Sequence, residues 1–145
     1  MIGIVSDHGG YKLKTEIIKY FEEKNIDFLN YGTDSEISVD YPDYAKKLCG
    51  AINKKEIKQG IAICGSGIGI SIACNKIKNI RCAKVDSEKE SFYTRDHNDS
   101  NVIALNGTMD IEKAKKIIDI FLNTDFSNDE RHTRRINKIK ELEND

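Results

Sequence analysis

Four short runs in this 145-residue chain hold the residue types that move protons or grip anions. Cys64 opens the run Cys64-Gly65-Ser66-Gly67-Ile68-Gly69, a thiol followed by alternating glycines. Asp7-His8-Gly9-Gly10 pairs a carboxylate with an imidazole, and Arg95-Asp96-His97-Asn98-Asp99 sets a second histidine among charged neighbours. In Arg131-His132-Thr133-Arg134-Arg135, helical spacing would bring the Arg131 and Arg135 guanidinium groups together on one anion, which arginine grips in a bidentate fashion.

The glycine run excludes three familiar phosphate devices. A dinucleotide loop would need glycine at position 70, which is Ile70, and a P-loop would need a closing Gly-Lys-Ser/Thr that is absent. A cysteine phosphatase loop would need an arginine six residues beyond its thiol, where Ile70 again stands. What is left is a thiol at the end of an apolar run, then glycines that let backbone N–H groups face one concavity beside a helix N-terminus. That setting suits a developing oxyanion and favours a thiolate. The same residues equally describe a buried strand end with glycines that permit close packing. Asp7 reads as a helix cap as readily as a catalyst. His97 reads as a solvated helix end, where the dipole favours an imidazolium, and the arginine run as a wet face continued by Lys138 and Lys140.

These groups need a scaffold, and the apolar pattern supplies one. Short Ile/Val-rich runs at 2–5, 61–64, 80–85 and 102–105, with a weaker one at 26–31, read as parallel strands buried on both faces. Helical periods alternate with them. Leu13, Ile17, Tyr20 and Phe21 form one stripe over 11–24, with Lys12, Lys14, Lys19 and Glu22 expected in water. Tyr44, Leu48 and Ile52 mark a helix over 43–54 that follows Pro42. Ser87 with Glu90 has capping-box spacing, Asp110 caps a strongly amphipathic stretch at 111–123, and 128–143 forms a last helix poor in large apolar residues. The expected fold is a three-layer, Rossmann-like, doubly wound α/β domain spanning 1–145. It has a mainly parallel five-stranded sheet, and its C-terminal helix either packs on a rim or reaches a partner subunit, the second being the expectation adopted. In such sheets ligands sit at the carboxyl ends of strands, which selects the turns at 6–10, at 64–69 and after Leu105.

Composition narrows the function classes. A charge of −1 from 23 basic and 24 acidic residues leaves no field for nucleic acid or an anionic membrane, so any anion site is local. No apolar run approaches the roughly 18 residues of a membrane span, and the opening residues lack the basic region and cleavage site of a secretory signal, so a cytoplasmic location is expected. Cys49, Cys64, Cys74 and Cys82 have no zinc-knuckle or redox-motif spacing, and three of them read as core fillers.

Taken together the motifs resemble the type B ribose-5-phosphate isomerases, within the group that also holds the galactose-6-phosphate isomerase subunits. The resemblance runs through SDHGGYKLK at 6–14, YGT and DYPDYA within 31–45, ICGSGIGISIACNK at 63–76, IRCAKV at 80–85, RDHNDSNVIAL at 95–105 and RHTRR at 131–135. It implies aldose–ketose isomerisation of ribose 5-phosphate and ribulose 5-phosphate through an enediolate, with no metal and no cofactor. Cys64 would be the base at C1 and C2, and His97 would open the furanose ring. Asp7 would orient the sugar, Ser66 would assist proton transfer, and Tyr41 would line the substrate site. The backbone of Gly65, Ser66, Gly67, Ile68 and Gly69, with Asn98, would stabilise the enediolate. His8, Arg131 and Arg135 would hold the phosphate. The family assembles its site between two chains of a homodimer, with a tetramer as a further possibility.

Two departures stand out. Ser66 replaces the threonine of many relatives and keeps the hydroxyl. Thr108 stands near where relatives carry a phosphate-binding arginine, so Arg134 or a nearby lysine would have to compensate, and allose 6-phosphate becomes a plausible side substrate. Galactose 6-phosphate is disfavoured by His97, which one subunit of that branch lacks. A noncatalytic phosphosugar-binding regulator would need neither Cys64 nor His97. A phosphorelay receiver would need an aspartate where Cys64 stands.

Overall fold

The computed structural model describes residues 1–145. In chain order it comprises β1 (Ile2–Ser6), a short 3-10 turn (His8–Gly10), α1 (Tyr11–Glu23), β2 (Phe28–Asn30), α2 (Tyr41–Asn53) and β3 (Gln59–Cys64). Then follow α3 (Ile68–Asn75), β4 (Cys82–Lys84), α4 (Glu88–Asn98), β5 (Val102–Asn106), α5 (Ile111–Asn123) and α6 (Glu130–Leu142). The five strands form one sheet in the order β2-β1-β3-β5-β4, and every pair is parallel.

Alternation along the central strands divides the core. Ile61 and Ile63 of β3, with Ile4 of β1 and Ile103 and Leu105 of β5, face α1 and α5, where Leu13, Ile17, Phe21, Ile117 and Phe121 cover them. Ala62 and Cys64 point the other way with Val5 and Ala104, against Leu48 and Cys49 of α2 and Ile70 and Cys74 of α3. Small side chains on this second face let the helices approach closely. Cys64 is thus held in a packed layer at the end of the middle strand.

Strands and helices stand where hydrophobic period placed them, with shorter edges. The run at 80–85 pairs only over Cys82–Lys84, because β4 is an outer strand with one neighbour. α2 begins at Tyr41, two residues early, and Pro42 takes its first turn, where a missing N–H costs nothing. Ser87 Oγ accepts from Glu90 N at 3.1 Å, and Asp110 accepts from Glu112 N and Lys113 N, as the capping patterns required.

Lys14 is a correction. Expected in water, it is 1% exposed, and its Nζ donates to Asn30 Oδ1 at 2.7 Å and pairs with Asp34 at 3.5 Å. Burial pushes its pKa down while the Asp34 carboxylate pulls it back up. Its position three residues before Ile17 puts it beside the packed stripe, and two oxygen acceptors, one at the end of β2 and one in the loop that follows, make burial tolerable. That loop is tied in turn to the end of β1: Ser6 N donates to Gly32 O, and Thr33 N donates to Ser6 O, each at 2.8 Å.

Candidate active site

β1 and β3 are neighbours in the sheet, and the chain leaves them in opposite directions, to β2 on one side and to β4, beyond β5, on the other. The crevice beyond their carboxyl ends is where open α/β sheets bind ligands. Asp7 and Cys64 both stand there. The two turns touch, because a Cβ on Gly9 would sit 3.1 Å from Gly65 N and Cα. The turn after β5 closes against both: Gly107 N donates to Cys64 O at 2.8 Å, and a side chain at Gly107 would overlap the Gly9 carbonyl.

Cys64 is 3% exposed, and its Sγ accepts a hydrogen bond from Gly67 N at 3.2 Å. Gly67 makes that bond from a left-handed conformation, φ 78°, and caps α3 from it. Ser66 Oγ accepts from Ile68 N at 3.1 Å, which fixes its hydroxyl at the helix entrance. The N–H groups of Gly65, Ser66 and Gly69 donate to no atom of the chain. With the positive end of α3 they leave free donors in the turn that carries the thiol. Tyr41 closes one wall; a Cβ on Gly69 would lie 2.6 Å from its ring.

Asp7 does cap the 3-10 turn, its Oδ1 accepting from Gly10 N at 3.1 Å. The capping bond occupies one carboxylate oxygen and leaves the other available. His8 Nδ1 accepts from Val39 N at 3.2 Å, so the imidazole pins the β2–α2 loop beside the crevice. Thr108, near the position of the relatives' arginine, donates through both N and Oγ1 to Asn106 Oδ1, at 2.8 and 2.7 Å.

His97, Asn98, Arg131 and Arg135 form a second group elsewhere. α4 runs antiparallel to the strands, so its last residues, His97 and Asn98, lie at the amino-terminal end of β5, near Val102. Cys64 pairs with Asn106 at the opposite end of that strand. Four strand steps of about 3.3 Å separate the two levels, roughly 13 Å. The His97 ring stacks on His132 of α6, centroids 4.3 Å apart, and on Tyr93 at 4.8 Å. Ser127 N donates to Asp96 O at 3.1 Å, which docks the segment before α6 on α4. Arg131 and Arg135 lie on the same helix as His132 and are exposed.

Sequence reasoning did not single out Lys14, His132 or Arg95. Arg95 is buried at the end of α4, where Nη1 donates to Asp99 Oδ1 and Ser100 O, each at 2.8 Å, and Nε to Thr124 O at 3.0 Å. It braces the turn that presents His97 and Asn98. One signal could have found His132: it lies four residues before Ile136, the other buried residue of α6.

A thiol in a turn with free N–H donors, with a carboxylate at the end of the neighbouring strand of an α/β sheet, is chemically suited to proton transfer next to a carbonyl. The family model described as ribose/galactose isomerase matches residues 2–139, and the chain belongs to that family. Ribose-5-phosphate isomerase B of Escherichia coli is 37% identical over 138 residues, covering 94% of this chain and 92% of that protein. The structure of Clostridium thermocellum ribose-5-phosphate isomerase B superposes with a TM-score of 0.95 at 41% identity, covering 99% of this chain and 97% of that one. That of the Mycoplasma genitalium enzyme with bound ribulose 5-phosphate gives 0.91 at 36% identity, covering 99% and 96%.

Proposed function

We propose that this chain interconverts D-ribose 5-phosphate and D-ribulose 5-phosphate in the cytoplasm, as a homodimer whose two sites are each built from both chains. The observation that carries the reading is the Cys64 thiol set among the unpartnered N–H groups of Gly65, Ser66 and Gly69.

Cys64 removes the proton from C2 of the open-chain aldose and returns it to C1. The free N–H groups, with Asn98, meet the enediolate oxygens as they gain charge, where fixed donors act most strongly. Ser66 passes the hydroxyl proton between O1 and O2, and Asp7 holds the sugar hydroxyls. His97 moves the proton at the ring oxygen when the furanose opens. His8, Arg131 and Arg135 grip the phosphate, far from the reacting carbons, where binding energy serves positioning. No chain can bring its own His97 to its own Cys64 across the sheet. A two-fold dimer offers the second group of one chain to the crevice of the other, twice. Exposed apolar residues flank both groups, Ile68 and Ile72 on α3 and Phe92, Tyr93, Ile139 and Leu142 on α4 and α6, as an interface between copies requires.

The test is conversion of ribose 5-phosphate by chelator-treated protein, with allose 6-phosphate run in parallel and the oligomer sized in the same buffer. Cys64→Ala should lower kcat by about 10²- to 10⁴-fold, the span a positioned base contributes. His97→Asn should slow turnover of the ring-forming aldose more than that of the open-chain ketose. Equal rates for wild type and Cys64→Ala would remove the proposed base, and a fully active monomer would remove the shared site.

A further inference from the structure

Asp96, His97 and His132 stand together with one ligand atom each, all within 4.8 Å of one another. We propose that they form a binding site for a divalent transition-metal ion of the zinc class, and that the bound ion switches the isomerase off by occupying His97. The ion is an inhibitor here and takes no part in turnover.

The geometry of the first pair already matches a metal. His97 Nε2 and Asp96 Oδ2 lie 3.4 Å apart. Two ligands at that separation, each bonded at about 2.0–2.1 Å, subtend roughly 110° at the ion, the tetrahedral angle. His132 supplies the third ligand. Its Nδ1 lies 2.9 Å from Ser127 Oγ, and Ser127 Oγ already accepts from Asp129 N. In the tautomer with the proton on Nδ1, donating to Ser127 Oγ, Nε2 presents its lone pair, and the hydrogen bond orients the ring as second partners of metal-bound histidines do. The part-exposed His97 side chain closes the remaining gap by a small rotation, and water takes the fourth position. Two imidazoles and one carboxylate with an open position suit zinc better than magnesium or calcium, which prefer oxygen. The end of α4 adds the negative pole of its dipole, and Asp99 and Asp129 lie nearby, against the positive charge of Arg131 and Arg135.

An ion there withdraws the lone pair through which His97 would act at the ring oxygen. Binding stands on the three side chains alone, whereas the inhibitory effect rests on the isomerase reading.

Protein stripped with a chelator and dialysed would be titrated with Zn2+ by calorimetry, and with Co2+ as a spectroscopic probe. The expected result is one ion per chain, with affinity reduced about 10-fold or more in Asp96→Asn and in His132→Gln and retained in Cys64→Ala. Cobalt should show tetrahedral visible bands in the wild type that are lost in His132→Gln, circular dichroism confirming that the variants are folded. Zinc should slow turnover of ribose 5-phosphate, with recovery on adding chelator, and Asp96→Asn should need correspondingly more zinc for the same loss. Absence of binding, equal binding by both variants, or binding lost in Cys64→Ala would overturn the site. Binding without inhibition would overturn the switch. A stripped protein that binds zinc as described yet isomerises no sugar phosphate would instead refute the proposed activity and leave the site standing.

Discussion

Cys64 and His97 occupy opposite ends of the same sheet, the thiol level with Asn106 at the carboxyl end of β5 and the imidazole just before Val102 at its amino end. If both act on one substrate, as proposed above, they come from different chains.

Complementation reads this directly. Cys64→Ala and His97→Asn homodimers should each be inactive on ribose 5-phosphate. After mixing under conditions that exchange subunits, half of the dimers should be mixed, each with one intact site, restoring about a quarter of wild-type activity. Mixed preparations as inactive as the parents would show that the two residues serve the same chain.

Gly67→Ala probes the cradle. Gly67 has φ 78°, and an added Cβ would meet the Leu105 carbonyl carbon at 2.9 Å. The left-handed strain and the overlap together should cost about 1–3 kcal/mol of stability, read in a urea titration. The N–H aimed at Cys64 Sγ moves with it, so kcat should fall more than KM rises. An unchanged midpoint with full activity would show that the turn tolerates another conformation.

Alkaline stability has a defined sign. Tyr20 OH donates to Asp119 Oδ1 and Oδ2 at 2.6 and 2.8 Å, joining α1 to α5. Burial first, then this bond, pushes the phenol up to about 12 from 10.0. Between those values the folded state keeps a proton that the unfolded state releases, so this contribution is complete below pH 10 and lost as pH rises toward 12. Thermal midpoints should fall across that interval, and the fall should be shallower in Tyr20→Phe. An identical profile in the variant would assign the loss elsewhere.

Lys14 acts in the opposite direction. Its pKa is lowered on folding, so the folded state gives up its proton first and this group adds stability as pH rises toward 10.5. Lys14→Met removes a buried ammonium whose partners, Asn30 and Asp34, are exposed enough to turn to water. Stability at neutral pH should change by less than about 1.5 kcal/mol. The loop that His8 anchors through Val39 loses one of its ties, at Asp34, so KM for the sugar phosphate should rise modestly with little change in kcat. A large fall in kcat with unchanged KM would contradict this positioning role.

Particular residues show what was legible. The continuous apolar run at 61–64 and the stripe Ile111–Leu122 could be read directly, because a sheet covered on both faces buries every residue of a central strand and a helix against it buries one stripe. The strand-end rule picks out the turns of Asp7 and Cys64, which do follow β1 and end β3. Lys14 escaped because its acceptors, Asn30 and Asp34, lie 16 and 20 residues away, and nothing local signals that a lysine will find them. His132 escaped because its partner stacks from another helix.

The sequence alone determined the order of strands and helices, the crevice turns with their glycines, and the residue types available for proton transfer, since these depend on neighbours within a few positions. Only the tertiary structure decided that β5 inserts between β3 and β4. It alone left the Gly65, Ser66 and Gly69 N–H groups without acceptors, and it alone stacked His97 on His132 at the end of the sheet opposite Cys64. Those outcomes depend on contacts between distant segments, where packing and hydrogen-bond satisfaction over the whole molecule select among arrangements that local patterns permit equally.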